Sequence, residues 1–329
     1  MGDKPLVSVI IVNYNGRLFL EDCLNSLKQV NFDSFEVILV DNNSMDGSIE
    51  FVKTNHPTVN ILKLDKNYGF ARPNNVGAKI AKGDFLLFLN NDTKVTPNFI
   101  TELINVINQN SSIAICQSLL LKPNGEVDSS GDYIDSIGIP FTDHKKIDKV
   151  SEIFSAKGAS LLIRKCVFEE LNGFDEKFFV SFEDVDLGWR ARILGYTILL
   201  VPTSIVYHIG GQTTKNINQI IAFHGFKNQL SIKITNFELK YMVRSLFLFF
   251  LIYGIRSFRV WLDYLLKGQT NITATKYEDK FSKKPSLKSN LKGLLWVIQN
   301  YRYILKKHKL VNSTRKIKTK NMIKLNYLI

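Results

Sequence analysis

The sequence predicts an α/β fold, a mostly parallel, doubly wound sheet followed by a basic helical C-terminal appendage. Three observations predict it. Short apolar runs alternate with amphipathic stretches every 20–30 residues or so through the front of the chain, as strand–helix–strand units do. Polar clusters close three of those runs, at residues 13–15, 41–44 and 90–92, where parallel sheets bind ligands. The charge then changes sign. Residues 231–329 hold 21 Lys and Arg against 4 Asp and Glu, whereas residues 1–230 hold 22 against 26.

The elements follow in order. Residues 6–12 form an apolar run broken only by Ser8, a strand buried on both faces, and 18–29 an amphipathic helix. Strands over 35–40 and 59–64 flank a short helix ending near Thr54; a helix over 69–81, interrupted by Pro73, precedes a strand over 85–89. Thr96 as cap and Pro97 at the first helical position predict a helix to about Asn108. Residues 113–121 resume a strand, Pro123-Asn124-Gly125 turns, and the polar, uneven stretch 131–149 reads as a mobile loop. Further strands are expected over 160–163 and 196–201, a helical turn over 165–171, and then Tyr207-His208-Ile209-Gly210-Gly211.

Composition narrows the class. With 329 residues, 45% hydrophobic and 12% aromatic, the chain can bury a large core, which excludes wholesale disorder. Three scattered cysteines, Cys23, Cys116 and Cys166, argue against a disulfide framework or a cysteine–zinc site and for a reducing compartment. The opening Met1-Gly2-Asp3-Lys4-Pro5 leads directly into a strand pattern. The basic C-terminal region points to a polyanionic surface, nucleic acid or an anionic leaflet. Residues 245–255 carry no charge but are too few to span a bilayer as a straight helix. With Tyr241, Phe247, Phe249, Phe250, Tyr253, Phe258 and Trp261 close by, they suit an interfacial helix, or else a helix buried on the sheet. A polar linker over 267–288 precedes a second amphipathic helix carrying Leu291, Leu294, Leu295, Ile298 and Leu305.

The chemistry concentrates in Glu183-Asp184-Val185-Asp186, three carboxylates in four residues ahead of a helical pattern that Gly195 stops. Carboxylates in a first turn meet free N–H groups and the positive helix end, so they are expected to stay ionised. They either cap the helix or accept a proton from an incoming hydroxyl. Asp92 closes a strand, where it is a turn residue or a holder of Mg²⁺ or Mn²⁺. Asp41 closes another, where a carboxylate can bond a nucleoside base or ribose.

Taken together these stretches resemble the family 2 glycosyltransferases. The resemblance rests on residues 7–15, Val40-Asp41-Asn42-Asn43-Ser44, Asn67-Tyr68-Gly69-Phe70-Ala71, Asn75 and Gly77. It continues through Ala81-Lys82-Gly83-Asp84, Leu87-Phe88-Leu89-Asn90-Asn91-Asp92, Val95, Gly158-Ala159-Ser160, residues 173–179 and residues 183–187. The pattern is most similar to the bacterial rhamnosyltransferase-like branch. It implies an A-type glycosyltransferase fold over residues 1–230 that binds a nucleotide-diphospho-sugar, dTDP-rhamnose or a UDP-sugar. Asp41 would contact base or ribose, Asn13 and Tyr14 would line that pocket with Asn91, and Arg72 would neutralise phosphate. Asp92 would hold a divalent metal (Mn²⁺ or Mg²⁺), with His208 as a further ligand. Asp184 would be the general base and Glu183 its positioning neighbour, giving inversion. The family's Asp-x-Asp is here Asn90-Asn91-Asp92, with one carboxylate instead of two, so the metal requirement is open. The acceptor would be a polysaccharide or lipid-linked glycan. Residues 231–329 would sit on an anionic membrane surface at the cytoplasmic face, and nucleic acid is not the expected partner. Two other readings stand beside this one. A nucleotidyltransferase would need a Gly-rich phosphate loop after the first strand, and Asn13-Tyr14-Asn15-Gly16-Arg17 is not one. A non-catalytic, membrane-associated glycan binder has the missing carboxylate at position 90 in its favour and the Glu183-Asp184 pair against it.

Overall fold

The computed structural model describes residues 5–210, 218–267 and 287–324, with backbone alone for 218, 256–267, 287 and 324. Most of the expected linker, Gly211, and the side chains of Phe258 and Trp261 lie outside the described residues. The first half alternates β1 (Val7–Asn13), α1 (Arg17–Leu27), β2 (Phe35–Asp41), α2 (Ser48–Asn55), β3 (Asn60–Lys63), α3 (Ala71–Ile80) and β4 (Phe85–Asn90). Then follow β5 (Thr93–Val95), α4 (Phe99–Ile107), β6 (Ile113–Leu121), β7 (Val127–Ser129), β8 (Asp132–Ile134), β9 (Pro140–Thr142) and β10 (Ser151–Glu152). After β11 (Ser160–Arg164) come α5 (Lys165–Glu170), α6 (Glu183–Ile193) and the long strand β12 (Thr197–His208). Five helices finish the described chain: α7 (Asn218–Asn236), α8 (Leu239–Lys267), α9 (Leu287–Gln299), α10 (Tyr301–Ser313) and α11 (Thr319–Lys324).

The main sheet runs β10-β12-β6-β11-β4-β1-β2-β3. β3, β2, β1 and β4 are parallel, and β11 enters antiparallel between β4 and β6. Alternation along β1 shows why both faces are covered. Val7, Val9 and Ile11 pack with Leu20 and Leu24 of α1 and Phe99 and Leu103 of α4. Ile10 faces the other way, with Ala71 and Ala78 of α3 and Leu187 of α6. Register matters most for the site: Asn13 pairs with Asp41, and Val12 with Asn90. The three polar strand ends therefore share one edge.

Three sequence expectations are corrected. Stretch 131–149 is not a bare loop. β8 and β9 pair, Ile134 is buried, and Lys157 bonds Asp132 at 2.9 Å. α4 starts at Phe99, two residues past Pro97, because the Thr96 hydroxyl bonds the Ile205 carbonyl instead of capping. Residues 197–208 are one strand, β12, bearing a bulge between Val201 and Ile205.

Position 230, where the composition changes, falls inside α7. Phe226 and Leu230 of α7 bury against Phe249 of α8, Val297 of α9 and Ile304 of α10. On the other side, Val311 and Met322 join Val185, Trp189 and Ile193 of α6 in a shared core. A buried ionic network reinforces that joint. Lys307 Nζ lies 3.0 Å from Asp186 Oδ2 and 2.6 Å from Asp175 Oδ2, and Arg190 Nε lies 2.9 Å from Asp186. Burial opposes charge on Asp186, but Arg190 and Lys307 outweigh it and hold its pKa below the ordinary value. Among the described residues no helix is long and apolar enough to cross a membrane.

Candidate active site

Strand β1 ends on Asn13, whose amide ties the strand ends together. Its Nδ2 donates to Asp41 Oδ1 (3.3 Å) and Ser44 Oγ (3.0 Å), and its Oδ1 accepts from Asn91 Nδ2 (2.8 Å). Asp41, fully buried, also accepts the backbone N–H of Ser44 at 2.9 Å. Asn13, Asp41 and Asn91 thus form one hydrogen-bonded group. Tyr14 follows it, half-buried. A second link runs sideways. Asn42 donates to Asn67 Oδ1 and the Gly69 carbonyl, and accepts the N–H of Tyr68. Gly69 has φ +77°, and an added Cβ would fall 2.0 Å from the Phe179 carbonyl, so only glycine fits. Arg72, exposed in the first turn of α3, lays its guanidinium over the Tyr68 ring at 3.9 Å.

The carboxylate pair opens α6. Asp184 Oδ2 accepts the Gly158 N–H at 3.0 Å and Oδ1 the Val185 N–H at 2.8 Å. The next carbonyl, that of Ala159, accepts the Asn90 N–H at 3.2 Å. One peptide step therefore separates the group holding Asp184 from the group holding the Asn90-Asn91-Asp92 strand end. An added Cβ on Gly158 would sit 2.8 Å from the Phe70 ring and 3.7 Å from Asp184 Oδ2, so the backbone passes where a side chain could not.

Both acids are perturbed against expectation. Burial, then the charge of Asp184, pushes Glu183 up to about 8. Burial and Asp132 also raise Asp184, against Lys157 and the two N–H donors. Loss of solvent outweighs the helix end that the sequence reading relied on. The shared proton belongs on Glu183, whose Oε2 is buried without a hydrogen-bond partner, while two donors favour the ionised form of Asp184. Asp132 was missed in the sequence because it lies in the stretch read as mobile. Lys157 sits one residue before Gly158-Ala159-Ser160, an adjacency that could have flagged it.

Asp92 and His208 meet because β5 pairs antiparallel with the end of β12, opposing His208 to Thr93. His208 Nε2 is 3.4 Å from Asp92 Oδ1, and its Nδ1 is 2.8 Å from Asp128 Oδ2. Burial disfavours the imidazolium, but the bonds to Asp128 and Asp92 prevail and lift its pKa to about 9. These residues fit a divalent cation once the ring gives up that proton, since only a neutral imidazole can ligate. A carboxylate and an imidazole converge, and Asp128 orients the ring from its far nitrogen, as outer carboxylates do at metal sites. Among the described residues no three His, Cys, Asp or Glu side chains could enclose a metal unaided. Phosphate oxygens and water would have to complete the shell.

Comparison with known proteins agrees with this geometry. Residues 8–171 match the family model described as glycosyl transferase family 2. The chain is 31% identical over 221 residues to an O-antigen biosynthesis protein of Myxococcus xanthus, covering 62% of this chain but only 17% of that protein. It is 25% identical over 238 residues to an N-acetylglucosaminyl-diphospho-decaprenol L-rhamnosyltransferase of Mycobacterium tuberculosis, covering 64% and 78%. A mannosyltransferase from Pyrobaculum calidifontis, solved with GDP-Man and Mn²⁺, superposes with TM-score 0.55 at 13% identity over 95% of this chain and 86% of that one. TarS of S. aureus gives 0.51 at 19% identity, over 69% and 42%. At such identities the structures speak for the fold, which is that of the A-type glycosyltransferases. Fold, strand-end residues and family match converge: the chain belongs to the family 2 glycosyltransferases.

Proposed function

We propose that the protein is an inverting glycosyltransferase that moves a sugar from a nucleotide-diphospho-sugar to a hydroxyl of a polysaccharide or lipid-linked glycan. The observation that carries this is the Asp184 carboxylate, tied through Gly158 and Ala159 to the strand edge that bears Asn13, Asp41, Asn91 and Asp92. Asp41 and Asn13 hold the nucleoside, with Tyr14 beside them, and Arg72 faces the phosphates. Asp184 takes the proton of the acceptor hydroxyl as its oxygen bonds to the anomeric carbon. The bond from that carbon to the diphosphate oxygen breaks, and the nucleoside diphosphate departs from the opposite face, which inverts the centre. Glu183 keeps the pair's proton, leaving Asp184 as the charged member, and as its neighbour helps position donor or acceptor. A divalent cation held by Asp92 and His208 would neutralise the charge gathering on the leaving diphosphate.

The relatives' names support the choice of substrates. One acts as a rhamnosyltransferase on a diphospho-decaprenol and another serves O-antigen biosynthesis, so dTDP-rhamnose and UDP-sugars are the first donors to test. Exposed apolar residues on α8 (Leu239, Val243, Phe247, Leu251) and α9 (Leu291, Leu295, Ile298), beside Lys240, Arg244, Lys288 and Lys292, support peripheral binding to an anionic membrane, at its cytoplasmic face. The test is a panel of dTDP-rhamnose, UDP-GlcNAc, UDP-glucose and GDP-mannose, read by thermal stabilisation and by NMR of the product's anomeric carbon. One donor should stabilise the protein and give an inverted product. Retention of configuration, or no response to any sugar nucleotide, would overturn the reading.

A further inference from the structure

Ser181 and Phe182, the last two residues before Glu183, both lie in the left-handed region, at φ +74° and +68°. Neither is glycine, and a bulky aromatic there is a rare and strained choice. Such strain persists only where the surroundings enforce it, and it gathers at functional sites. Here the enforcing group comes from α7, beyond the residues that match the family model. The side chain of Asn228, fully buried, donates through Nδ2 to the carbonyls of Val180 (3.0 Å) and Ser181 (2.6 Å). One turn is thereby pinned at two successive carbonyls. The neighbouring Lys227 ammonium adds a third bond, to the Lys177 carbonyl. From the strained turn the helix starts at once, the Asp186 N–H bonding the Phe182 carbonyl at 2.9 Å. Asn228 Oδ1 is buried without a hydrogen-bond partner, so the amide acts at this place through its donor side alone.

We infer that Asn228 is a positioning residue for the candidate base: by holding Val180–Phe182 in its left-handed turn, it sets where α6 begins and hence where Asp184 stands. It touches no reacting atom in this account and acts only through the turn. The inference rests on the proposed role of Asp184, and it makes a prediction about Ser181. Glycine adopts the left-handed conformation without strain, so a glycine at position 181 should replace part of what the Asn228 amide enforces.

The experiment compares the wild type, Asn228→Leu, Ser181→Gly and the double variant. Hydrogen exchange over residues 178–188 and steady-state kinetics are read on each, with the donor that the four-member panel identifies. Asn228→Leu should speed exchange in that segment alone and lower kcat by about 10- to 100-fold with KM for the donor little changed, as misplacement of a catalytic group does. Adding Ser181→Gly should recover a substantial part of both losses. Exchange that rises throughout the molecule, kcat within about twofold of the wild type, or a double variant no better than Asn228→Leu would each overturn the inference. If the wild type turned over no sugar nucleotide, the proposed function would fail and the positioning role with it. The local exchange result would still show separately whether Asn228 holds the turn.

Discussion

Glu183 holds its proton up to about pH 8 in the folded protein, and an unfolded glutamate releases its proton near its ordinary value of 4.5. Between those two values the folded state binds the extra proton, so this group's contribution to stability is complete below the lower one and fades as pH rises through the window. The stability of the wild type relative to Glu183→Gln should therefore fall between pH 5 and pH 8, measured as denaturation midpoints; a difference that stays flat across this range would refute the buried, protonated state. Asp184, also raised, should impose an acid limb on kcat above the ordinary carboxylate range, with activity lost as pH falls. Asp92 supplies the sole carboxylate of Asn90-Asn91-Asp92. Asp92→Asn should abolish stimulation by Mn²⁺ and lower turnover about 100-fold, a size consistent with lost charge stabilisation at a leaving group. Full activity of the wild type in excess chelator would remove the cation from the account.

At the scale of elements, what could be read from the sequence follows chain separation. β1, β2, β4 and β6 are long apolar runs, and their turns bear Asn13, Asp41 and Asn91, so both their existence and their shared edge were legible. β5 and β7–β10 have two or three residues each, too few to show a period, and β5 and β10 pair with β12, far along the chain. Hence Asp132 and Asp128, which set the charge around Asp184 and His208, were invisible beforehand. The contact between α10 and α6 was hidden for the same reason: nothing in the composition around Lys307 announces Asp175 and Asp186, 132 and 121 residues away. That network yields its own prediction. Lys307→Met leaves two buried carboxylates short of a cation and should cost about 3 kcal/mol, read from urea unfolding. A loss below about 1 kcal/mol, the range of exposed ion pairs, would show that the network is solvated.

For the molecule as a whole, the mildly acidic front carries the candidate site and the basic back carries the exposed apolar residues of α8 and α9. Phe247 and Leu295 are both more than half exposed, so Phe247→Glu and Leu295→Glu should leave folding intact. They should cut binding to vesicles containing phosphatidylglycerol several-fold, and binding should weaken with added salt. Unchanged partitioning would assign those faces another role. The reaction itself depends on one proton acceptor. Asp184→Asn keeps the shape of the side chain and removes its basicity, so the most direct measurement is the transfer rate of this variant beside its donor-induced thermal shift. Transfer should drop by about 10²–10⁴-fold while the thermal shift persists, and a variant that transfers at the wild-type rate would contradict the assignment of Asp184 as the base.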